Sequence, residues 1–391
     1  MTKKGAITSV ILTLLTIFIF CISFYFIDNA KNQLPNITQI NYNLMSDNKP
    51  LIIENIENLS KRISLKQVSF CVELDETDVK EETVTPILTN ENYFKIYGQT
   101  LNGSSITKEN IDNKDKVAVI GSSLALKLFF NTDVVGKTIM FDNETYTICG
   151  IFAERENIIN NLSSDGKQRV YIPYTCYNEY ETYEVNTISY DNSSISAPLI
   201  EQMNLSQYHS TNLSEKAKVI KNFEHIIFLI LFITLGFISL KIWYRICKKF
   251  IDDIRENLNE KYFLKSLKSI PQKYIFLIIT ALIIPAVLLT IFFLSDFSIF
   301  IISKYIPSDN IFDVSYYLNI IIENANMSNS LLLTGNKNLL NLYNNTFSVV
   351  IWLVIIFTLT LIITISKIGK EINSVYKSNR KNYKLNEEVE I

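Results

Sequence analysis

Few side chains in this 391-residue sequence are of the types that carry out catalysis. The sequence has two histidines, His209 and His225, and general acid–base catalysis uses histidine more often than any other residue. We interpret His225, at the start of an apolar stretch, as an interfacial residue and His209 as a surface residue. Ser122 and Ser123 follow Gly121, but they do not form the G-x-S-x-G nucleophile elbow of hydrolases. The chain is therefore expected to be a non-catalytic protein.

Motifs that would bind a nucleotide or a metal are also weak in the sequence. Residues 98–104 come nearest to the phosphate-binding pattern G-x-x-x-x-G-K-[ST], but they lack the lysine. Carboxylates cluster between positions 73 and 82, and their spacing does not match a calcium-binding loop, so a solvated loop is predicted there. We expect no cofactor or metal in this chain. The clustered carboxylates are Glu73, Asp75, Glu76, Asp78, Glu81 and Glu82.

Apolar residues make up 48% of the sequence and are concentrated in four stretches. Each stretch has about the roughly 20 residues that a helix needs to cross a bilayer. The second contains Lys241 near its end, where the side chain can reach the headgroups, and the others contain no Asp, Glu, Lys or Arg. The formal net charge of −2 argues against a nucleic-acid partner and leaves the lipid bilayer as the expected one. The stretches are residues 6–27, 226–244, 274–294 and 347–366.

A cleaved signal peptide is the alternative interpretation of the first stretch, since Lys3 and Lys4 form a basic start. Its apolar run is longer than the roughly 7 to 15 residues of a signal-peptide core, and no small-x-small cleavage site precedes Asp28. Phe20 before Cys21 also does not fit a lipid-modification site. We therefore predict a retained membrane anchor.

Lysine and arginine are distributed unequally among the segments that connect the spans. Eight lie in residues 245–273 and six in residues 367–391, whereas residues 295–346 contain two. Because translocation of short basic segments is disfavoured, both termini are predicted to be cytoplasmic and the protein to be a multi-pass protein of the cell membrane. The predicted order is the N-terminus with the first helix (1–27), an extracytoplasmic domain with its stalk (28–222), the second helix (223–245), a cytoplasmic loop (246–273), the third helix (274–294), an extracytoplasmic loop (295–346), the fourth helix (347–366) and a cytoplasmic tail (367–391).

The extracytoplasmic domain has strand-like and helical patterns in alternation. Residues 67–74 alternate like a strand, and the apolar run 117–120 precedes a helix that Ser122 or Ser123 can cap. Strands are also predicted over residues 138–141, 145–152 and 169–173, the first two joined as a hairpin at an Asp-Asn turn.

The connection of this domain to the second span is predicted to be helical. Residues 213–223 favour a helix and run into the span without Gly or Pro, so a stalk helix is expected. The predicted fold class is therefore an α+β membrane protein, with four transmembrane helices in a one-plus-three arrangement and a mixed α+β domain inserted between helices 1 and 2.

Three of the five cysteines, Cys71, Cys149 and Cys176, fall in the predicted extracytoplasmic domain. An odd number does not suggest a disulfide framework, although one pair among the three remains open.

Four segments between residues 85 and 177 occur together in a specific order. They are Asn92, Tyr93 and Phe94 with Gly98; VAVIGSSLALKLF at 117–129; VGKTIMFDNETYTICGIF at 135–152; and RVYIPY at 169–174. Together they resemble the periplasmic core domain of the MacB-like and FtsX-like permeases of ABC transporters. The one-plus-three arrangement of spans around an outer domain is similar to that family as well.

The resemblance implies a permease subunit that works with a separate cytoplasmic ABC ATPase, which would hold the ATP and Mg. It also implies a second copy of the chain or a related permease, and an extracytoplasmic adaptor or hydrolase as a further candidate partner. In the family mechanism, called mechanotransmission, closure of the ATPases moves the outer domain and exports a peptide, drug or lipid-linked substrate.

Two other functions remain as alternatives. An FtsX-like regulator would switch on a cell-wall hydrolase without transport. A ligand-sensing receptor would need a cytoplasmic output domain, for which the 25-residue segment 367–391 is short.

The membrane region contains two candidate functional sites. Phe263, Leu264, Leu267 and Ile270 share one face of a predicted helix in the basic cytoplasmic loop. The resemblance implies that this face couples the chain to the ATPase, and a juxtamembrane helix on anionic lipid is the alternative. Pro285 removes a helical hydrogen bond in the third span and is a candidate hinge.

Overall fold

The structure is a computed structural model that describes most of the chain. The described residues are 3–42, 51–62, 68–154, 157–193, 208–258, 279–280, 283, 285–290, 292–293, 298–307, 310–331 and 338–389. They divide into two compact units. The helical unit comprises Met1–Asp28, Val219–Phe300 and Val349–Ile391, and the sheet domain comprises Asn29–Lys218 and Ile301–Ser348.

Three helices in the described part of the chain are long and apolar enough to cross a membrane. They lie in α1 (Lys3–Gln33), α7 (Leu213–Leu258) and α9 (Asn338–Val389), which contain the predicted first, second and fourth spans. Of the third, residues 279–280, 283, 285–290 and 292–293 are described and helical, so the count of four helices stays a prediction. In the most apolar part of the α7 span 6% of the residues are buried, so almost all of its apolar surface is exposed. Such a surface is suited to contact lipid or another chain.

Side chains of three helices meet in the helical unit. Thr16 on α1 and Thr364 on α9 have their hydroxyls 3.2 Å apart in a hydrogen bond. The ring of Phe20 lies 6.0 Å from that of Phe357 on α9 and 6.5 Å from that of Phe228 on α7. Aromatic packing and one buried hydroxyl pair therefore hold these helices together, as is common where helices associate in lipid.

The sheet domain is built on a mixed sheet with eleven strands in the described residues. Nine of them follow the order β11-β1-β10-β2-β4-β9-β6-β8-β5, with β3 paired to β4 and β7 to β8. The pairs β4–β9 and β6–β8 are parallel, and the other pairs are antiparallel. The strands are β1 (Ile37–Tyr42), β2 (Val68–Glu73), β3 (Thr77–Val79), β4 (Glu82–Thr89), β5 (Leu101–Gly103), β6 (Val117–Gly121), β7 (Thr138–Phe141), β8 (Glu144–Phe152), β9 (Gln168–Pro173), β10 (Thr187–Asp191) and β11 (Tyr208–Asn212).

These strands confirm the α+β class and the strands predicted from the sequence pattern. The hairpin β7–β8 turns at Asp142 and Asn143, whose φ angles of 51° and 60° are those of a tight turn between twisted strands. The stalk is helical, as predicted, because α7 begins at Leu213 and runs on without a break. The remaining helices of the domain are α2 (Ile53–Arg62), α3 (Tyr93–Ile96), α4 (Lys108–Asp112), α5 (Ser122–Phe129), α6 (Ile158–Ser163) and α8 (Val314–Leu331).

Both faces of the sheet are covered. Neighbouring residues of one strand point to opposite faces, and they fall in different cores: Val119 packs with Tyr93 and Phe94, while Ile120 packs with Leu124 of α5. The central strands are therefore buried on both sides, which explains why their sequences read as continuous apolar runs.

The start of α5 differs from the predicted one, because Glu154 and not a serine caps the helix. Gly121 is the N-cap residue, and the Ser123 amide donates to Glu154 Oε2 at 2.8 Å. In return, the Glu154 amide donates to Ser122 Oγ at 3.2 Å. A Cβ atom at Gly121 would lie 2.4 Å from Glu154 Oε1, so glycine leaves the space that this carboxylate occupies. The reciprocal bonds of a capping box are thus formed by a residue from after β8.

Candidate functional site: where the sheet domain joins its helices

The candidate sites predicted in the membrane region receive no test from the structure. Phe263, Leu264, Leu267 and Ile270 lie outside the described residues, so the contact with an ATPase stays a prediction. Pro285 lies in a described helical segment with its side chain exposed, and its role as a hinge likewise stays a prediction. The described residues instead point to the places where the sheet domain is joined to its long helices.

The first junction is the edge of the sheet formed by β1 and β11. These strands pair antiparallel, with Thr38 opposite Asn212. β1 follows α1 after three residues, and β11 is followed directly by α7. The strand that leaves one long helix is therefore hydrogen-bonded to the strand that enters the next.

Three asparagines close this junction, and we call Asn36, Asn192 and Asn212 the asparagine junction. The Asn192 side chain accepts a hydrogen bond from Thr38 Oγ1 at 2.6 Å and donates to Asn212 Oδ1 at 3.1 Å. The Asn192 backbone amide donates to the carbonyl of Asn36 at 3.1 Å. The end of β10 is thereby tied to both β1 and β11.

Asn212 also caps α7. Its Oδ1 accepts hydrogen bonds from the backbone amides of Ser214 at 3.1 Å and Glu215 at 3.2 Å. Asparagine is among the best residues for this position, because its short side chain satisfies amides that have no partner within the helix. The same side chain that binds Asn192 thus fixes where the stalk helix begins.

The second junction joins the turn between α6 and β9, residues 164–167, and the end of α6 to the first turns of α9. Asn345 Nδ2 donates to the carbonyl of Leu162 at 3.2 Å and to Ser163 Oγ at 3.1 Å. Asn341 Nδ2 donates to the carbonyl of Ser163 at 3.4 Å. These two asparagines are four residues apart and lie on one face of α9.

A fourth hydrogen bond completes this junction, because the Asp165 amide donates to Asn338 Oδ1 at 3.3 Å. We call Asn338, Asn341 and Asn345 the asparagine stripe of α9. Nearby, Lys216 of α7 places its Nζ 4.3 Å from the centre of the Tyr343 ring of α9. This cation–π contact joins α7 and α9 within the sheet domain.

Ion pairs brace the turn between α6 and β9 against the sheet. Arg169 has 6% of its side chain exposed, and its guanidinium forms a bidentate pair with Asp165. Lys167 pairs with Glu73 at 3.0 Å and with Glu76 at 3.2 Å. The acidic cluster predicted to be a solvated loop therefore contains ion-pair partners at the end of β2 and directly before β3.

Burial acts to raise the pKa of Asp165, but the hydrogen bond and positive charge of Arg169, together with Lys167, outweigh it and hold the pKa below its usual value of 3.8. Burial also opposes the charge of Arg169, yet Asp165 and Glu73 raise its pKa. Both groups are thus charged near neutral pH, in the fork-to-fork geometry that makes such pairs strong. The turn that contacts α9 is held in one conformation by this pair.

The described cysteine thiols of the sheet domain are poorly suited to act as nucleophiles. Burial raises the pKa of Cys71 to about 12 and that of Cys176 to about 11, and it raises the pKa of Cys149 as well. All three are free thiols in the structure. Since the thiolate is the reactive form, a raised pKa keeps these cysteines in the less reactive thiol form at neutral pH. Among the described residues, no group of three or more His, Cys, Asp or Glu side chains is placed to hold a metal.

The asparagine stripe was not predicted from the sequence. The spacing of Asn338, Asn341 and Asn345 follows a helical period, which is the signal that marks one polar face. In a sequence rich in asparagine that spacing is not distinctive, and the partner segment around Ser163 is 182 residues away from Asn345. The capping role of Glu154 was not predicted either, because the helix that it caps is also distant from it in the sequence.

Comparison with known sequences identifies the family to which the chain belongs. The family model of the MacB-like periplasmic core domain matches residues 6–203, which is half of the chain. The macrolide export ATP-binding/permease protein MacB 1 of Yersinia pestis bv. Antiqua (strain Antiqua) is 30% identical over 88 residues, 22% of this chain and 13% of that protein. The MacB protein of Neisseria gonorrhoeae (strain ATCC 700825 / FA 1090) is 34% identical over 100 residues, 25% of this chain and 15% of that protein. The chain thus matches a small part of the length of these relatives.

Two solved structures contain domains similar to part of this chain. The periplasmic region of MacB from Actinobacillus actinomycetemcomitans has a TM-score of 0.38 and 16% identity, over 48% of this chain and 94% of that structure. The extracellular domain of the noncanonic ABC-type transporter YknZ from Gram-positive bacteria has a TM-score of 0.33 and 18% identity, over 43% of this chain and 88% of that structure.

The fold defines a class of protein, namely a membrane protein whose α+β domain is inserted between its first two apolar helices. The chain belongs to the family with a MacB-like periplasmic core domain. The resemblance seen in residues 85–177 is therefore confirmed.

Proposed function

We propose that the chain is the permease subunit of an ABC transporter, which passes movement across the membrane to its sheet domain and does not itself hydrolyse ATP. Membership of the family supports the permease role, since relatives are named as ATP-binding/permease proteins. The proposed cargo is a peptide, drug or lipid-linked substrate exported from the outer face by mechanotransmission.

The observation that carries this proposal is the way in which the sheet domain is attached. β1 and β11 continue from α1 and into α7, and the turn between α6 and β9 is hydrogen-bonded to α9. Hydrogen-bonded junctions transmit displacement, whereas a Gly/Ser-rich linker would absorb it. Movement of any of the three long helices is thus expected to reach the sheet.

In the proposed mechanism the energy comes from a separate cytoplasmic ABC ATPase that binds ATP and Mg. Both termini are placed in the cytoplasm, where the basic loop 246–273 meets the ATPase through Phe263, Leu264, Leu267 and Ile270. The third helix bends at Pro285. Two permease copies, or this chain with a related one, form the assembly in the cell membrane.

Reconstitution in liposomes tests the proposal. The chain with an ABC ATPase should stimulate ATP hydrolysis, and the double substitution Phe263→Ala with Leu267→Ala should remove most of that stimulation, whereas Lys265→Ala on another face should leave it unchanged. Equal stimulation in all variants would overturn the assignment of the loop. Hydrolysis of ATP by the purified chain alone would overturn the proposed role as a whole.

An assay of cargo accumulation separates export from the FtsX-like alternative. Export predicts ATP-dependent movement of a reporter drug or peptide across the membrane. Activation of a cell-wall hydrolase with no such movement would favour the regulator instead.

A further inference from the structure

Helix α8, Val314–Leu331, lies between the third and fourth apolar stretches of the chain and belongs to the sheet domain. Asp313 caps its start by accepting hydrogen bonds from the backbone amides of Ser315 at 3.0 Å and Tyr316 at 3.2 Å. The helix is thus a defined element whose three sides differ in character.

One side of α8 is fixed to the protein. Ile320 is 7% exposed, and the Tyr316 hydroxyl donates to the Lys304 carbonyl at 2.8 Å. One turn further on, Asn324 Nδ2 donates to the Tyr305 hydroxyl at 3.3 Å. Positions 316, 320 and 324 repeat every four residues, so they form one face.

The described side chains on the rest of the helix surface are mostly exposed and form two stripes. An apolar stripe contains Val314, Leu318, Ile321 and Ile322, each more than half exposed. A polar stripe beside it contains Ser315 and Asn319, which are also exposed. A helix that lies flat in a membrane interface needs this division, because its apolar stripe enters the acyl region while its polar stripe faces the headgroups and water.

Exposed apolar residues continue ahead of the helix. Ile311 is exposed, and Phe312 is 87% exposed although phenylalanine is normally buried in a soluble domain. Together with the apolar stripe of α8 they make one extended apolar surface. A surface of this kind marks an interaction site.

The fixed side of α8 indicates the depth at which the helix lies. Lys304 and Tyr305, which hold that side, follow shortly after Phe300, whose backbone amide donates to Asn222 Oδ1 of α7 at 2.8 Å. Asn222 is four residues before Ile226, the first residue of the second apolar stretch, and at 1.5 Å per residue that is about 6 Å along the helix. The headgroup layer on each side of a bilayer is of about that thickness, and tyrosine is enriched there.

We propose that α8 and residues 311–312 lie in the outer-leaflet interface of the bilayer, with Phe312, Val314, Leu318 and Ile321 inserted among the lipids. The helix contains no Lys or Arg, so its insertion is driven by apolar burial and not by attraction to anionic headgroups. This interfacial helix would hold residues 303–305 and the start of α9 at a constant height above the membrane. The inference goes beyond the proposed transport function, and its test needs no ATPase.

Depth-dependent quenching of a fluorescent label tests this placement. Single cysteines replace Leu318 or Asn319 in the full chain with its five native cysteines substituted, and each carries the same environment-sensitive dye. In phosphatidylcholine liposomes, lipids with a shallow spin label should quench the dye at position 318 several-fold more than the dye at position 319. Replacing half of the lipid by phosphatidylglycerol, or raising the salt concentration, should leave that ratio unchanged.

Two results would overturn the proposal. Equal, weak quenching at both positions would place α8 in water. Efficient disulfide formation between Leu318→Cys residues of two chains, without lipid quenching, would show that a second copy covers the stripe. Leu318→Glu gives an independent readout, since an exposed position tolerates the change: the dye on a cysteine at Phe312 should then lose quenching by at least about half.

Discussion

At the scale of single residues, the pair of Arg169 and Asp165 links the central sheet to the turn that contacts α9. Arg169 is buried in β9, and Asp165 lies in the turn itself, where its amide reaches Asn338. A guanidinium in such a place is stable as long as its carboxylate partner is charged, because an unpaired buried charge is costly.

Asp165→Asn is expected to lower the free energy of unfolding of the sheet domain by about 1–3 kcal/mol at pH 7. The exposed carboxylate of Asp112 offers the matched control Asp112→Asn, for which little change is expected. Pulse proteolysis of the detergent-solubilised chain in urea measures both. Equal stability of the two variants would contradict a structural role for the pair.

The same pair predicts a pH dependence. The pKa of Asp165 is lower in the folded chain than its usual value of 3.8, so protonation favours the unfolded state. The contribution of Asp165 is therefore complete above about pH 5 and is lost as the pH falls below about 4. Measured from pH 7 to pH 3, the wild-type chain should lose more stability than Asp165→Asn, and parallel curves would argue against the assignment.

Glu154 offers a second prediction at this scale. Glu154→Ala removes the acceptor for the Ser123 amide and should cost about 1 kcal/mol, whereas Glu154→Gln keeps an oxygen that can accept and should cost less. Hydrogen exchange at the Ser123 amide provides the measurement. Exchange should be fastest in the alanine variant, and identical rates in all three chains would refute the cap.

At the scale of elements, the asparagine stripe ties the first turns of α9 to the rest of the sheet domain. Asn341 and Asn345 bind carbonyl and hydroxyl groups at the end of α6. The last carbonyl groups of α6 have no hydrogen-bond partner inside the helix, and Asn341 and Asn345 each bind one of them. These bonds fix the end of α6 to the first turns of α9.

Asn345→Ala should loosen α6, because it removes hydrogen bonds to both Leu162 and Ser163. Hydrogen exchange in residues 158–163 is expected to accelerate about fivefold, which corresponds to about 1 kcal/mol for bonds of this kind. Asn344→Ala is the matched control, since Asn344 is the neighbouring residue and is exposed. Equal protection of α6 in the two variants would show that the stripe does not hold it.

At the scale of the whole molecule, the attachment of the sheet domain to α1, α7 and α9 is the feature on which the proposed function depends. The described part of each apolar span has a largely exposed apolar surface, as expected for helices that meet lipid. The junctions themselves are made by asparagines and a buried ion pair, which are directional and therefore hold one geometry.

A covalent link across the second junction tests whether it stays closed while the assembly works. Cysteines replacing Ser163 and Asn345, in a chain without its native cysteines, should be joined by a short bis-methanethiosulfonate cross-linker that a reductant can cleave, since the Asn345 amide reaches the Ser163 hydroxyl at 3.1 Å. Because a rigid attachment is proposed, ATPase stimulation should be the same with the link formed or reduced. Inhibition that a reductant reverses would show that α6 and α9 must separate.

Several features of this protein were determined by the sequence alone. The apolar stretches of α1, α7 and α9, the hairpin with its Asp-Asn turn and the strand that precedes α5 were all predicted, because each depends on residues close together in the chain. The family resemblance rests on the same kind of local pattern. Hydrophobic periodicity and turn residues carry this information without reference to the rest of the fold.

The tertiary structure alone decided what holds the domain to its helices. Glu154 binds the amide of Ser123, 31 residues earlier, and Asn345 binds Ser163 from 182 residues away. Hydrogen bonds between distant segments depend on where the strand order of the sheet places each loop, and no spacing within one segment encodes that position. For this reason the polar residues near 73–82 looked like a solvated loop, although Lys167 pairs with two of them once β9 is in the sheet beside β4.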